Sequence, residues 1–207
     1  MKVGIIDYGA SNILSVVAAA THIGHTPIVI RSSSKLDSLD ALILPGVGDF
    51  SFASKEFSNA NASEKISEFA SMGKTVLGIC LGMQLLGESS TENGFNSGLG
   101  LLRGVTKHLS TLPGLQKKER IPRMGWYEVS RTRSDSIGDL PDKAMLYFAH
   151  SYYMEDVPIA HQLFSSEFNN VPFCVGIRDQ SIVGLQFHPE KSGELGLSLL
   201  KKILSSN

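Results

Sequence analysis

The sequence predicts an α/β domain whose mixed, mostly parallel central sheet is flanked by helices. The first half alternates short β-branched runs with helical patterns, which is typical of parallel strands joined by crossover helices. The second half contains strand-like runs separated by short turns, which indicates antiparallel additions to the sheet. A chain of 207 residues is long enough for one ample core, so we expect residues 1–207 to form a single domain.

The elements of the first half follow the chain in order. The predicted strands and helices are strand 3–7, helix 11–23, strand 27–31, strand 39–44, helix 63–72, strand 75–79 and helix 81–87. The runs ALIL and TVLGI are apolar without alternation, which favours strands buried on both faces. The segment 88–98 is rich in Gly, Ser and Asn, and predicts a surface loop.

The second half is predicted to add strands and to end in a helix. The strand-like runs are 126–130, 145–154, 161–168, 173–178 and 182–187. Apolar residues at helical spacing predict an amphipathic helix over 193–204. We find no internal repeat, charge block or linker, which agrees with one domain.

Composition excludes several classes of function. The net charge is -1 and the Lys and Arg residues are scattered, so we expect neither nucleic-acid nor membrane-surface binding. No apolar run approaches the ~18 residues of a membrane span, and Asp7 interrupts the first apolar run before a signal-peptide core forms. The two cysteines, Cys80 and Cys174, lie far apart, which favours a cytoplasmic protein without a disulfide framework.

Cys80 lies in a pattern typical of a nucleophile. Gly78-Ile79-Cys80-Leu81-Gly82 follows a predicted strand and precedes a predicted helix, as in a strand-turn-helix nucleophile elbow. Glycines on both sides permit the tight turn, and the start of the helix favours a thiolate. The alternative interpretation is a buried structural cysteine in a glycine-rich turn.

His188 and Glu190 are the candidate partners of that nucleophile. A thiolate that cleaves acyl bonds needs a proton shuttle, and the shuttle needs a group that orients it. A predicted strand delivers His188 at its end, Pro189 stops the strand, and Glu190 is placed to accept from one ring nitrogen. Taken alone, His-Pro-Glu is equally typical of a surface turn.

A glycine-rich loop is the candidate oxyanion site. Pro45-Gly46-Val47-Gly48 follows a strand, at the edge of the sheet where open α/β folds bind ligands. Its backbone N–H groups, together with the amide of Leu81, are candidate donors to an oxyanion. The alternative is an ordinary strand-to-helix loop. We expect no metal and no cofactor, because His-x-Glu lacks the downstream Cys-x-x-Cys of zinc deaminases and Gly98-x-Gly100 lacks a third glycine.

Two further residues were weighed as candidates. Cys174 lies in an alternating strand, which favours core packing over catalysis. His150 is interpreted as a structural histidine, with contact to a substrate as the less favoured alternative.

Taken together, these motifs resemble the class I (triad) glutamine amidotransferases, and among them the glutaminase subunits of imidazole glycerol phosphate synthases. The resemblance rests on six motifs in the expected order: DYGASN at 7–12, LPGVG at 44–48, GICLGMQLL at 78–86, MGW at 124–126, YFAHSY at 147–152 and QFHPEKSG at 186–193. It covers nearly the whole chain and implies the flavodoxin-like fold of that family.

The resemblance implies a reaction and a glutamine site. Cys80 would attack the side-chain carboxamide of L-glutamine, and His188, oriented by Glu190, would pass a proton to the departing ammonia. Backbone amides at Gly46, Val47, Gly48 and Leu81 would form the oxyanion hole. Matching positions imply glutamine-binding roles for four residues: Gln84, Glu92, Ser151 and Tyr152.

The resemblance also implies a heterodimer with a (β/α)8-barrel synthase, which would use the ammonia to make imidazole glycerol phosphate and an aminoimidazole carboxamide ribotide in histidine biosynthesis. The residues expected near its docking face are Asn12, Arg123, Trp126, Tyr127, Tyr147 and Lys191. Arg123 and Tyr127 depart from the family pattern Pro-His-Met-Gly-Trp-Asn. Three alternatives remain open: a paralogue that supplies another synthase, a stand-alone cysteine hydrolase, and a silent scaffold.

Overall fold

The structure is a computed structural model that describes residues 1–9, 12–31, 36–58, 62–115, 120–137, 140–141 and 143–206. Within those ranges, no helix combines the length and apolar character needed to cross a membrane. The predicted start of the first helix, Ser11, lies outside the described residues, and the helix is observed from Ile13 onward.

Thirteen strands and five α-helices make up the described part of the chain. The strands are β1 (Lys2–Ile6), β2 (Thr26–Ile30), β3 (Ala41–Leu44), β4 (Thr75–Ile79), β5 (Ser89–Ser90), β6 (Asn96–Ser97), β7 (Val105–His108), β8 (Arg123–Arg131), β9 (Ala144–His150), β10 (Tyr152–Glu155), β11 (Gln162–Phe168), β12 (Val171–Asp179) and β13 (Ile182–Leu185). The helices are α1 (Ile13–His22), α2 (Phe50–Ser58), α3 (Ala62–Ser71), α4 (Leu81–Leu86) and α5 (Gly193–Leu204).

The main sheet has nine strands in the order β2-β1-β3-β4-β13-β12-β11-β8-β9. The pairs from β2 to β13 are parallel and those from β13 to β9 are antiparallel, which confirms the mixed α/β sheet. A smaller sheet has the order β10-β7-β5-β6.

Two predictions about elements were wrong, and two elements were not predicted. We expected 182–187 to be an antiparallel addition, but β13 runs parallel to β4, with Gly184 opposite Gly78. We expected one strand over 145–154, but the strand ends at His150 and β10 pairs with β7 in the smaller sheet. Helix α2 and strand β7 were not predicted.

The sheet is buried on both faces, as the apolar runs predicted. Along β3, Ala41 and Ile43 pack into one core with residues of α1 and α5. Leu42 and Leu44 pack into the opposite core with residues of α2, α3 and α4. The carboxyl ends of β3, β4 and β13 therefore meet at one edge of a rigid, covered sheet.

Helix α4 approaches that edge closely enough to require glycine. A Cβ atom at Gly82 would lie 1.8 Å from the carbonyl oxygen of Leu44, and one at Gly78 would lie 2.6 Å from the carbonyl oxygen of Gly82. Neither backbone contact could be relieved by rotating a side chain. The two glycines thus fix how α4 leaves β4, and with it the position of Cys80.

We predict that Gly82→Ala destabilises the protein by about 3 kcal/mol or more, because the added methyl group would overlap the Leu44 carbonyl. Chemical denaturation with urea measures this loss. Ser198→Ala, on the exposed side of α5, is the control and should change the free energy of unfolding by less than about 0.5 kcal/mol. An equally small effect of Gly82→Ala would contradict the packing described here.

Candidate active site

Cys80 occupies the turn between β4 and α4 in a strained backbone conformation, with φ 53° and ψ -106°. Non-glycine residues rarely adopt such angles, and they persist only where the surroundings enforce them. Here the Cys80 N–H donates to the Leu185 carbonyl at 2.7 Å, and the Cys80 carbonyl accepts from the Gln84 N–H at 3.2 Å. The predicted strand-turn-helix geometry around Cys80 is present and Cys80 is 5% exposed, while its role as a nucleophile stays a prediction.

His188 and Glu190 lie beside the elbow, as predicted. The His188 side chain is fully buried, and its Nδ1 donates to Oε1 of Glu190 at 2.8 Å. A 3-10 turn over Pro189–Lys191 bends the chain so that Glu190 reaches back to the ring. The Nδ1 bond fixes the ring plane and leaves Nε2 for the Cys80 thiol.

The electrostatics of this trio favour a charged imidazole. Burial alone lowers the pKa of His188, but interactions with Cys80 and Glu190 outweigh that effect and raise its pKa to about 10. Near neutral pH the ring is therefore an imidazolium whose Nδ1 donates to Glu190, while its Nε2 has no hydrogen-bond partner among the described residues.

Asn12 makes a contact that the sequence did not predict. Its Nδ2 donates to the same Oε1 atom of Glu190 at 2.6 Å. The sequence placed Asn12 only at a docking face, whereas the structure also joins it to the carboxylate that orients His188. No signal in the sequence pairs these residues, because they are 178 positions apart.

The expected oxyanion hole is not assembled in this structure. The Leu81 N–H, one of the expected donors, already donates to the Gly46 carbonyl at 3.3 Å. The Tyr8 hydroxyl donates to the Pro45 carbonyl, and this hydrogen bond holds the start of the loop Pro45–Gly48 in place. Gly48 has φ 143°, a conformation that other residues rarely adopt.

A cavity of about 240 Å³ opens at Cys80. It brings together the elbow, the oxyanion loop and all four residues expected to bind glutamine. Its lining residues are Val47, Gly48, Cys80, Leu81, Gln84, Glu92, Pro122, Met124, Ala149, His150, Ser151 and Tyr152. The size and mixed lining suit a small polar molecule.

The polar groups of the cavity are held by their own hydrogen bonds. Nε2 of Gln84 donates to the Tyr152 carbonyl at 3.2 Å and to Oε1 of Gln186 at 3.1 Å. Oε2 of Glu92 accepts from the Phe50 N–H at 3.0 Å, so helix α2 holds this carboxylate in place. Burial raises the pKa of Glu92, while that backbone bond opposes the rise.

His150 is a structural histidine that also lines the cavity. Its ring packs against Phe148 and Phe173, and its Nδ1 donates to the Tyr152 carbonyl at 2.7 Å. Burial, aided by the nearby Arg123, lowers the pKa of His150 to about 3, so the ring is neutral. Cys174 lies in the core, as expected, and burial raises its pKa to about 12.

Arg123 was predicted to lie at the partner interface. A direct contact with a partner is ruled out in this structure, because the residue is 1% exposed. Its guanidinium carbon lies 3.9 Å from the Tyr127 ring centroid and 4.4 Å from that of Phe148. Nη2 donates to Ser166 Oγ at 2.7 Å and to the Glu167 carbonyl at 3.0 Å. Arg123 and Tyr127, the two residues that depart from the family pattern, therefore stack on each other.

The other expected interface residues form a surface next to His188. The Trp126 side chain is half exposed and meets the Tyr147 ring edge-on at 6.1 Å between centroids. Nζ of Lys191 lies 5.9 Å from the same Tyr147 ring. The Tyr147 carbonyl accepts from the His188 N–H at 2.8 Å. This hydrogen bond connects the surface directly to His188.

Gln186 is the polar residue that sequence reasoning missed. It is fully buried, and its Nε2 lies 3.6 Å from Sγ of Cys80. A polar residue next to a buried apolar strand was the available signal. Within the described ranges, no group of three or more His, Cys, Asp or Glu side chains could hold a metal ion.

Comparison with known proteins agrees with this geometry. The family model "Glutamine amidotransferase class-I" matches residues 4–205. The imidazole glycerol phosphate synthase subunit HisH of Methanopyrus kandleri is 41% identical over 209 residues, covering 99% of this chain and 98% of that protein. The same subunit of Bacillus velezensis is 40% identical over 199 residues, covering 96% and 93%.

Solved structures support the same fold. The structure of PurLQS from Thermotoga maritima matches with a TM-score of 0.75 at 20% identity, covering 99% of this chain and 98% of that chain. A crystal structure described as a glutamine amidotransferase matches with a TM-score of 0.75 at 16% identity, covering 99% of both chains. The chain belongs to the class-I glutamine amidotransferase family, and within it to the HisH type.

Proposed function

We propose that this chain is the glutaminase subunit of an imidazole glycerol phosphate synthase. It hydrolyses L-glutamine to glutamate and ammonia, and a (β/α)8-barrel synthase subunit uses the ammonia to make imidazole glycerol phosphate and the aminoimidazole carboxamide ribotide of histidine biosynthesis. The observation that carries the proposal is the strained, buried Cys80, which lines a small cavity of mixed polarity and interacts with a charged His188. Residues 1–207 act as one amidotransferase domain, and the pathway places it in the cytoplasm.

The reaction follows from the geometry of the trio. The Cys80 thiolate attacks the carboxamide carbon of glutamine and forms a tetrahedral oxyanion. The His188 imidazolium gives its Nε2 proton to the amide nitrogen, and the C–N bond breaks to release ammonia and leave a glutamyl thioester. His188 then takes a proton from water, which attacks the thioester and frees glutamate and Cys80. Glu190 holds the ring through both steps.

The cavity offers complementary groups to the amino-acid end of the substrate. The Glu92 carboxylate is a partner for the α-ammonium group. Both amide hydrogens of Gln84 are used inside the protein, so its Oε1 is the atom that remains to accept from that same ammonium. Ser151 and Tyr152 complete the wall on the β9–β10 side.

The occupied Leu81 amide supports a glutaminase that depends on its partner. The peptide that joins Gly46 and Val47 now presents its carbonyl to Leu81. Rotation of that peptide would withdraw the carbonyl, free the Leu81 N–H and turn the Val47 N–H toward the oxyanion. Docking of the barrel subunit would stabilise the rotated state, and the isolated chain would turn over glutamine slowly.

We expect the isolated chain to release little glutamate from L-glutamine, and the barrel synthase subunit with its nucleotide substrate to raise the rate strongly. Cys80→Ala should lower that rate at least about 1000-fold, because no other group replaces the nucleophile. Cys174→Ala is the matched control, since it removes the other cysteine, and should retain most of the activity. An assay of glutamate and ammonia release measures both variants.

Glutamate release that survives Cys80→Ala would contradict the proposed mechanism. Ester hydrolysis without a partner, combined with no glutamine hydrolysis in the complex, would indicate a stand-alone hydrolase. Stimulation by a different synthase but not by the barrel subunit would indicate a paralogue.

We predict that Asn12→Ala lowers kcat about ten-fold at saturating partner and leaves KM for glutamine unchanged, because Glu190 loses a charge-assisted hydrogen bond and orients His188 less well. Steady-state kinetics of the complex measure the two parameters. Thr21→Ala, at the exposed far end of α1, is the control and should match the parent. An unchanged kcat in Asn12→Ala would show that the contact with Glu190 is unimportant for turnover.

A further inference from the structure

Among the described residues, Gln186 is the fully buried amide that reaches the nucleophile. It follows β13 directly and lies between Gln84 on one side and Cys80 on the other. Cys80 is itself 5% exposed, so water gives little help to a negative charge on its sulfur. A thiolate in this position needs hydrogen-bond donors from the protein.

The direction of the Gln186 amide follows from a chain of obligate donors and acceptors. The Tyr152 carbonyl can only accept, so the Gln84 atom that faces it must be the amide nitrogen. That nitrogen also faces Gln186, so Gln186 must present its oxygen there. Its own nitrogen therefore points to the Cys80 sulfur, at 3.6 Å.

The Tyr152 carbonyl, at which this series of hydrogen bonds begins, is itself held in place. The Tyr152 carbonyl accepts a second hydrogen bond from Nδ1 of His150, a ring that packs between two phenylalanines. Reversing the Gln186 amide would place two nitrogens against each other at Gln84, or would require Gln84 to turn its oxygen toward a carbonyl. The network thus has one consistent arrangement, with an N–H directed at the sulfur.

We propose that Gln186 is a second hydrogen-bond donor to the Cys80 thiolate, next to His188, and that Gln84 and the Tyr152 carbonyl set its direction. The inference rests on the proposed role of Cys80 as a nucleophile. It assigns to Gln186 a part in activating the sulfur rather than in filling the core. The side-chain amides of Gln84 and Gln186 then connect the wall of the cavity to Sγ of Cys80.

The test is the pH profile of Cys80 alkylation by iodoacetamide in the full-length chain, followed by mass spectrometry of the modified peptide. In this reaction the sulfur displaces iodide, so the rate reports the thiolate directly. Turnover is not the readout, because removing Gln186 also removes the acceptor of Gln84.

Gln186→Met, which has a similar length and no donor, should move the midpoint of the profile up by about one pH unit and slow alkylation about ten-fold at pH values below the parent's midpoint. Gln186→Leu should act in the same direction and serves if the Met variant does not fold. Gln162→Met is the matched control. Gln162 is a half-buried glutamine whose Nε2 donates to the Val157 carbonyl, and it has no hydrogen bond to Cys80. Its profile should equal that of the parent.

A folded Gln186→Met or Gln186→Leu variant with the parent's midpoint would overturn the proposal. If the parent itself shows no fast alkylation of Cys80 relative to Cys174, the nucleophile assignment fails rather than the role of Gln186. A midpoint shift of equal size in Gln162→Met would mean that the effect is general destabilisation, and would also overturn the proposal.

Discussion

The close approach of α4 to the end of β3 is the constraint on which the site depends. Because the Leu44 carbonyl fills the space where a side chain at position 82 would go, the helix reaches this depth only with glycine. The chain must then turn sharply between β4 and α4, and Cys80 takes the strain of that turn at positive φ. Packing of the two cores holds Cys80 in place, at the sheet edge where the loops after β3 and β13 begin.

Charges and hydrogen bonds around His188 determine the protonation state of its ring. A buried imidazole would ordinarily lose its proton, yet Glu190 on one side and Cys80 on the other keep His188 charged. Asn12 bonds to the same carboxylate oxygen, and Gln186 reaches the sulfur. The same network extends to Tyr147 through its carbonyl, so the proposed docking face and the triad residues are linked by hydrogen bonds.

Local patterns in the sequence were sufficient for the parallel strands β1 to β4, the elbow and the His-x-Glu pair, because each is encoded by neighbouring residues. Features that depend on distant contacts were not predictable. Helix α2 was missed although Phe50, Ala53 and Phe57 have helical spacing, and these residues pack into the core. Arg123 was expected at the surface, but the aromatic ring of Tyr127 covers it. The Leu81 amide was an expected donor, and only the folded loop shows that a carbonyl already occupies it.

Covalent labelling by the glutamine analogue diazo-oxo-norleucine tests the central claim most directly, namely that Cys80 is the nucleophile of a glutamine-shaped cavity. Intact-mass measurement of the chain with its barrel partner should show one adduct, located on Cys80, and L-glutamine should protect against it. Labelling that persists in Cys80→Ala, or that glutamine does not slow, would contradict the account.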